Sequence, residues 1–191
     1  MPGLSFFKDY AVRLSETINA ADWRVVEPLA VALFDAWREK RQVFLAGNGG
    51  SAANCNHIVN DFVYPVSKIM GKGIRIRSLS ESPAVITCLA NDEGYDNIFS
   101  AQLPIFANPG DILWVMSGSG NSKNILNALE SAQKLGLTSF AVLGFNGGKA
   151  IKLADHVIHF PVNDMQVAED LQMIVSNMTL QYLHSRRNEI V

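Results

Sequence analysis

The sequence has little excess of charge of either sign. Of its 191 residues, 16 are Lys or Arg and 18 are Asp or Glu, so the formal net charge is −2. This balance lacks the basic surface that is typical of proteins binding nucleic acid or an anionic membrane, and we expect neither partner. With 48% apolar and 18% charged residues, the composition excludes a disordered or collagen-like chain.

Cysteine and long apolar runs are also scarce. The two cysteines, Cys55 and Cys88, are too few for a disulfide scaffold and indicate reduced thiols in a cytoplasmic protein. The longest apolar run, 29–34, is far shorter than the roughly 20 residues that a membrane-spanning helix needs. The first residues lack the basic start and apolar stretch of a signal peptide. The sequence therefore predicts a soluble, cytoplasmic protein.

Two amphipathic helices are predicted in the first forty residues. Their apolar positions recur at spacings of three and four. In the first helix these positions are Leu4, Phe7, Ala11, Leu14 and Ile18, and in the second they are Val26, Leu29 or Ala30, Leu33 and Trp37. Pro28 predicts an irregular start for the second helix. These helices either cover the sheet of the same chain or pair with the same helices of another subunit.

The rest of the chain alternates short apolar runs with helical segments. Strands are predicted at 43–46, 73–78, 112–116, 139–143 and 156–160, and helices at about 51–64, 83–91, 122–135, 148–154 and 164–185. Alternation of this kind favours βαβ units, so we expect an α/β fold with a five-stranded parallel sheet flanked by helices. No repeat or linker divides residues 1–191, which are predicted to form one domain with added helices at 1–40 and a core at 41–191.

Two predicted strands end in glycine-rich loops that lead directly into helices. One loop spans 47–51, with the sequence GNGGS, and the other spans 117–122, with the sequence SGSGNS. One such loop would be typical of an ordinary turn with a serine cap. Two loops at the carboxyl ends of parallel strands offer free helix N–H groups, close backbone approach and serine hydroxyls. Together they predict a phosphate site that needs no Lys or Arg.

Neither loop matches the common nucleotide motifs. Ala52 occupies the last position of a dinucleotide-type glycine pattern, and the next predicted strand ends in Arg77-Ser78 without a ribose-binding acid. The stretch 144–150 has the wrong spacing for a P-loop, with Ala150 in place of the magnesium-binding hydroxyl. We therefore expect a small phosphorylated metabolite and no nucleotide or organic cofactor.

Together with Asn91-Asp92, these loops resemble those of the sugar isomerase (SIS) domain family, in its phosphoheptose isomerase branch. The resemblance covers essentially the whole chain. It implies an SIS-type, flavodoxin-like three-layer fold and a homotetramer with active sites shared between subunits. It also implies a phosphorylated sugar as ligand, bound by Asn48, Gly49, Ser51, Asp92, Ser117, Ser119, Asn121 and Ser122.

The resemblance also implies an activity. Phosphoheptose isomerases interconvert open-chain ketose and aldose phosphates, such as sedoheptulose 7-phosphate, through an enediol, which requires an acid and a base. The catalytic positions of the branch fall on or near His57, Asp61 and Glu169, and the same three side chains would hold a zinc ion if one is bound. His57 and Asp61 share a helix face because they are four residues apart. Heptose synthesis for surface polysaccharide, or for a related activated sugar, is the expected role.

Several positions depart from the pattern of the branch. Asp61 replaces a Glu, Glu169 replaces a frequent Gln, and the stretch 63–66 lacks an Arg. Asn177 replaces the catalytic His, and Asn cannot act as a base near neutral pH. A regulator in the same family, which binds the bacterial replication initiator, likewise lacks the full catalytic set. The alternative function is therefore a non-catalytic, phosphosugar-sensing regulator that acts on a protein partner.

Overall fold

The computed structural model describes residues 3–71 and 73–189, without the side chains of 65–70. Its strands are β1 (Val43–Ala46), β2 (Ile76–Ser78), β3 (Ile112–Ser117), β4 (Thr138–Leu143) and β5 (His156–His159). Its α-helices are α1 (Leu4–Ala20), α2 (Glu27–Glu39), α3 (Gly49–Met70), α4 (Pro83–Asp92), α5 (Leu103–Phe106), α6 (Lys123–Leu135) and α7 (Met165–Ser185). Single 3-10 turns lie at 23–26, 95–97, 150–152 and 187–189.

The five strands form one parallel sheet in the order β2-β1-β3-β4-β5. This confirms the predicted fold class. Val43 of β1 is level with Ile76 on one side and with Ile112 on the other, so β1 and β3 end side by side. The direction of chain connection reverses between these two strands, and in open α/β sheets the crevice at such a point is where ligands bind.

The sheet is buried on both faces, which explains its continuous apolar strands. All four residues of β1 and all six of β3 are buried. Leu45 and Trp114 pack with α2, α3 and α7 on one face, whereas Phe44 and Val115 pack with α6 and the α4–α5 region on the other. The strands of a parallel sheet covered on both faces have continuous apolar sequences, here rich in Val, Leu and Phe, rather than alternating apolar and polar residues. Cys55 belongs to the first core, and burial raises the pKa of its thiol.

The two N-terminal helices take different roles. Helix α2 buries Leu29, Leu33 and Trp37 in the first core, so it covers the sheet of its own chain. Pro28 lies in its first turn, directly after a 3-10 turn, as the irregular start predicted. Helix α1 buries no residue completely, and Phe7 is 68% exposed. Tyr10, Leu14 and Ile18 pack against the first core, whereas the first three positions of the predicted stripe are exposed.

Helix α1 is held to the body by polar contacts with the start of α7. The Tyr10 hydroxyl donates to Asp170 Oδ2 at 2.6 Å, and Arg13 forms an ion pair with Asp164 at 3.3 Å. Burial and the bond to Asp170 raise the pKa of Tyr10 to about 12. Among the described residues, no helix combines the length and apolarity needed to cross a membrane.

Three predicted elements differ from the structure. Helix α3 begins at Gly49, because the Asn48 carbonyl accepts the first helical bond, and it continues to Met70, beyond the predicted 51–64. Strand β2 begins at 76 instead of 73. The helix predicted at 148–154 is only a 3-10 turn, since Gly147 and Gly148 have φ values of 75° and 53° and turn the chain before it.

Candidate active site

A cavity of about 240 Å³ opens where β1 and β3 end. Both predicted loops contribute to its wall, together with two residues of α7. The lining residues are Asn48, Gly49, Gly50, Ser51, Met116, Ser117, Gly118, Ser119, Ser122, Met165 and Glu169. No Lys or Arg is among these residues, so the dipoles and hydroxyls of the two loops are the groups available to bind an anion.

Two helices begin at this cavity. The Ala52 N–H bonds to the Asn48 carbonyl, so the preceding three N–H groups of α3 have no partner in the helix. Helix α6 begins after Ser122, whose hydroxyl makes no capping bond. Free N–H groups and the positive end of the helix dipole favour an anion at both places.

The hydroxyl groups of the cavity are arranged as donors. Ser117 Oγ accepts from the Gly120 N–H at 3.1 Å, and Ser119 Oγ accepts from the Asn121 N–H at 3.2 Å. Ser51 Oγ accepts from Gln172 Nε2 at 3.0 Å. A hydroxyl has one hydrogen, and none of these three bonds uses it. Each serine can therefore still donate its hydrogen to a ligand oxygen.

Asn48 is fixed by two neighbours. Its amide pairs reciprocally with the buried amide of Asn124, at 2.8 and 2.9 Å, and its Oδ1 also accepts from the Tyr95 hydroxyl at 3.0 Å. The Asn48 oxygen is thereby occupied. One hydrogen of its NH₂ group is left for a ligand.

Glu169 brings a carboxylate into the same cavity. A Cβ atom built on Gly50 would lie 2.4 Å from both carboxylate oxygens, so the carboxylate rests directly on the Gly50 backbone. Glycine is required at this position for Glu169 to lie there. The cavity therefore combines an anion site with one acid–base group.

The stretch 144–150 packs against the second loop, 117–122. A Cβ on Gly120 (φ 62°) would lie 2.1 Å from the Gly147 carbonyl oxygen, so the two loops touch through their backbones. Asn121 joins the loops, because its Nδ2 donates to the Ser119 carbonyl and its Oδ1 accepts from the Lys149 N–H. Asn121 thus holds the two loops together through hydrogen bonds. It does not line the cavity.

His57 and Asp61 form a pair outside this cavity. His57 Nε2 lies 3.2 Å from Asp61 Oδ2, and the His57 side chain is 59% exposed. Neither residue lines the cavity that contains Glu169. Within the described part of the chain, no three His, Cys, Asp or Glu side chains are grouped so that they could hold a metal ion. The three predicted zinc ligands therefore do not fit a metal site within one chain.

Two further positions also lie apart from the cavity. Asp92, at the end of α4, is exposed and accepts from Asn91 Nδ2 at 2.7 Å. Asn177 is exposed on α7, eight residues and about 12 Å beyond Glu169 along the helix. A single chain does not bring either residue to the phosphate loops.

The structure adds three residues that the sequence did not single out. Asn124 fixes Asn48, whereas Asn54 and Gln172 connect the first loop to α7. Their only signal in the sequence is position, since each lies a few residues after a loop or after Glu169. Recognising Asn54 and Gln172 requires knowing that α3 packs against α7, and recognising Asn124 requires knowing that the start of α6 meets the first loop.

Comparison with known proteins places this architecture in a family. Residues 6–144 match the model of the SIS domain. "Phosphoheptose isomerase" of Chlorobaculum parvum is 37% identical over 153 residues, which are 80% of this chain and 73% of that protein. The protein of the same name from Aneurinibacillus thermoaerophilus is 31% identical over 88% of this chain and 85% of its own length.

A solved structure gives the same result for the fold. The phosphoheptose isomerase of Francisella tularensis superposes with a TM-score of 0.88 over 97% of this chain and all of that chain, at 24% identity. The family resemblance stated from the two loops is confirmed. The chain belongs to the SIS domain family, in the branch of the phosphoheptose isomerases.

Proposed function

We propose that this chain is an aldose–ketose isomerase of a sugar phosphate of the sedoheptulose 7-phosphate type. The observation that carries the proposal is the set of groups that line one cavity. Three serine hydroxyls with free hydrogens lie at two helix starts, and the Glu169 carboxylate lies beside them. The names of the relatives support the same class of reaction.

The phosphate group binds at the two helix starts. There it receives hydrogen bonds from the serine hydroxyls and from the first N–H groups of α3. This places the sugar chain against the wall that contains Glu169. The wall residues of the cavity include no Lys or Arg, so phosphate binding depends on hydrogen bonds and helix dipoles rather than on ion pairs.

Isomerisation moves a proton between two neighbouring carbons. A base removes a proton from the carbon beside the carbonyl while an acid protonates the carbonyl oxygen, which gives an enediol. Loss of the proton of the other hydroxyl and return of a proton to the former carbonyl carbon then complete the isomerisation. An ionised Glu169 can accept the first proton and return it, because it is a carboxylate within the ligand cavity. Met116 and Met165 add apolar surface to the wall of the same cavity.

The His57–Asp61 pair can act only if a second chain presents it to the cavity. Helix α1 offers the surface for such assembly, since Leu4, Phe6 and Phe7 are 91%, 64% and 68% exposed. Apolar exposure of this extent favours burial against a partner. We therefore include a homotetramer with shared sites in the proposal, and sedimentation of Phe7→Asp beside the unchanged chain tests it.

The proposal places the enzyme in cytoplasmic carbohydrate metabolism. Its test is incubation of the chain with a panel of ketose and aldose phosphates, followed by chromatography of the products. Formation of the partner isomer, lost in Glu169→Gln, is expected. Binding of sugar phosphates without turnover of any of them would contradict the isomerase and favour the regulator.

A further inference from the structure

We propose that Gln172 is a positioning residue, which turns the Ser51 hydroxyl toward the phosphate of the ligand. This inference rests on the proposed function, because it assigns a task to one donor of the same anion site. The residues that carry it form a row of hydrogen bonds from α7 through α3 into the cavity. Neither Gln172 nor Asn54 lines the cavity itself.

The backbone carbonyl of Glu169, where the row begins, determines which group donates and which accepts in each of its hydrogen bonds. The backbone carbonyl of Glu169 can only accept, and it lies 3.1 Å from Asn54 Nδ2. The Asn54 side chain must therefore present its NH₂ group to α7. The same NH₂ group lies 2.9 Å from Gln172 Oε1, which accepts from it.

The orientation of the Gln172 amide then determines which way the Ser51 hydroxyl can donate. Since the oxygen of Gln172 faces Asn54, its Nε2 faces Ser51 and donates to Oγ at 3.0 Å. The Ser51 hydroxyl cannot return its hydrogen to a donor. Ser51 is a lining residue of the cavity and donates to no other residue in the described ranges, so its hydrogen is available to an anion there.

Burial stabilises this order of donors and acceptors. Gln172 and Ser51 are 1% and 3% exposed, so water does not compete for their polar groups. A flipped Gln172 would leave its buried amide facing groups that it cannot pair with, and the cost of unsatisfied buried polar groups disfavours that orientation. The row also begins at the backbone of Glu169, so it fixes the phosphate donor relative to the acid–base residue.

A variant that reverses donor and acceptor between residue 172 and Ser51 tests the proposal. In Gln172→Glu the carboxylate accepts the hydrogen of Ser51, which is then withdrawn from the ligand. We expect the affinity for inorganic phosphate, measured by calorimetry at about pH 8, to fall by about tenfold to a hundredfold, the scale of a lost hydrogen bond to a charged group. Gln172→Met removes the amide without adding an acceptor, and we expect a loss of only a few-fold.

A double-mutant cycle separates this effect from charge repulsion. Without the Ser51 hydroxyl there is no hydrogen to withdraw, so Gln172→Glu should cost much less in a Ser51→Ala background than in the unchanged chain. Equal losses in both backgrounds would overturn the positioning role, as would equal losses in Gln172→Glu and Gln172→Met. If Gln172→Glu does not fold, Asn54→Asp reverses the same row from its start and enters the same cycle.

The proposed function can fail separately. Failure of the unchanged chain to bind phosphate would contradict the anion site and, with it, the role of Gln172. Phosphate binding with an additive cycle would leave the anion site in place and overturn the role of Gln172 alone.

Discussion

Gly50→Ala should remove the acid–base group while leaving the fold intact. The added Cβ would lie 2.4 Å from both carboxylate oxygens of Glu169, a distance that no pair of such atoms sustains. The contact is with the flexible end of a side chain, so Glu169 swings out of the cavity and α3 stays in place. Gly50 already has a helical backbone, and alanine there changes stability by at most about 1 kcal/mol.

The expected consequence is a fall in kcat of at least about a hundredfold, the usual scale for losing a general acid or base. Turnover of the sugar phosphate and the melting temperature are measured on the same preparations. In a Glu169→Gln background, Gly50→Ala should cause little further loss, since both changes remove one group. A Gly50→Ala protein with nearly unchanged kcat, or with losses that add to those of Glu169→Gln, would refute this reasoning.

Three other predictions concern the remaining parts of the account. Asp61→Asn should lower turnover by at least about a hundredfold while calorimetry shows phosphosugar binding unchanged; unchanged turnover would remove Asp61 from the chemistry. Ser51→Ala combined with Ser119→Ala should weaken phosphosugar binding by about 1–3 kcal/mol, and equal affinity would exclude these hydroxyls as donors. The pKa of Tyr10, raised from 10.0 to about 12, predicts that its bond to Asp170 stabilises the fold below about pH 10 and is lost as the pH rises toward 12. Urea unfolding should show this alkaline loss of stability, and Tyr10→Phe should abolish it.

The sheet could be predicted because its strands are short, solid apolar runs between glycine-rich turns. The strand at 43–46 is found where predicted, and the loops after β1 and β3 meet because parallel strands carry their ends to one edge. Those two loops supply most of the residues that line the cavity, so most of the candidate phosphate donors could be named from the sequence.

The rest depends on packing between distant elements. The position of Glu169 on Gly50 and the bond from Gln172 to Ser51 follow from how α7 lies against α3, which periodicity alone does not reveal. The short turn at 150–152 was predicted as a helix because the conformations of Gly147 and Gly148 are not encoded in apolar spacing. The Glu169 carboxylate lies on Gly50 at the start of α3, whereas His57 and Asp61 lie about two and three turns further along that helix, so the predicted convergence of the three side chains is absent within one chain.

The central claim is that Glu169 moves a proton on a sugar phosphate held by the two loops. Exchange of solvent deuterium into the carbon beside the carbonyl of sedoheptulose 7-phosphate reports this step directly, even when net turnover is slow. The account predicts exchange with the unchanged chain and its loss in Glu169→Gln, with phosphosugar binding retained. Equal exchange in both proteins, or none in a chain that binds the sugar phosphate, would contradict it.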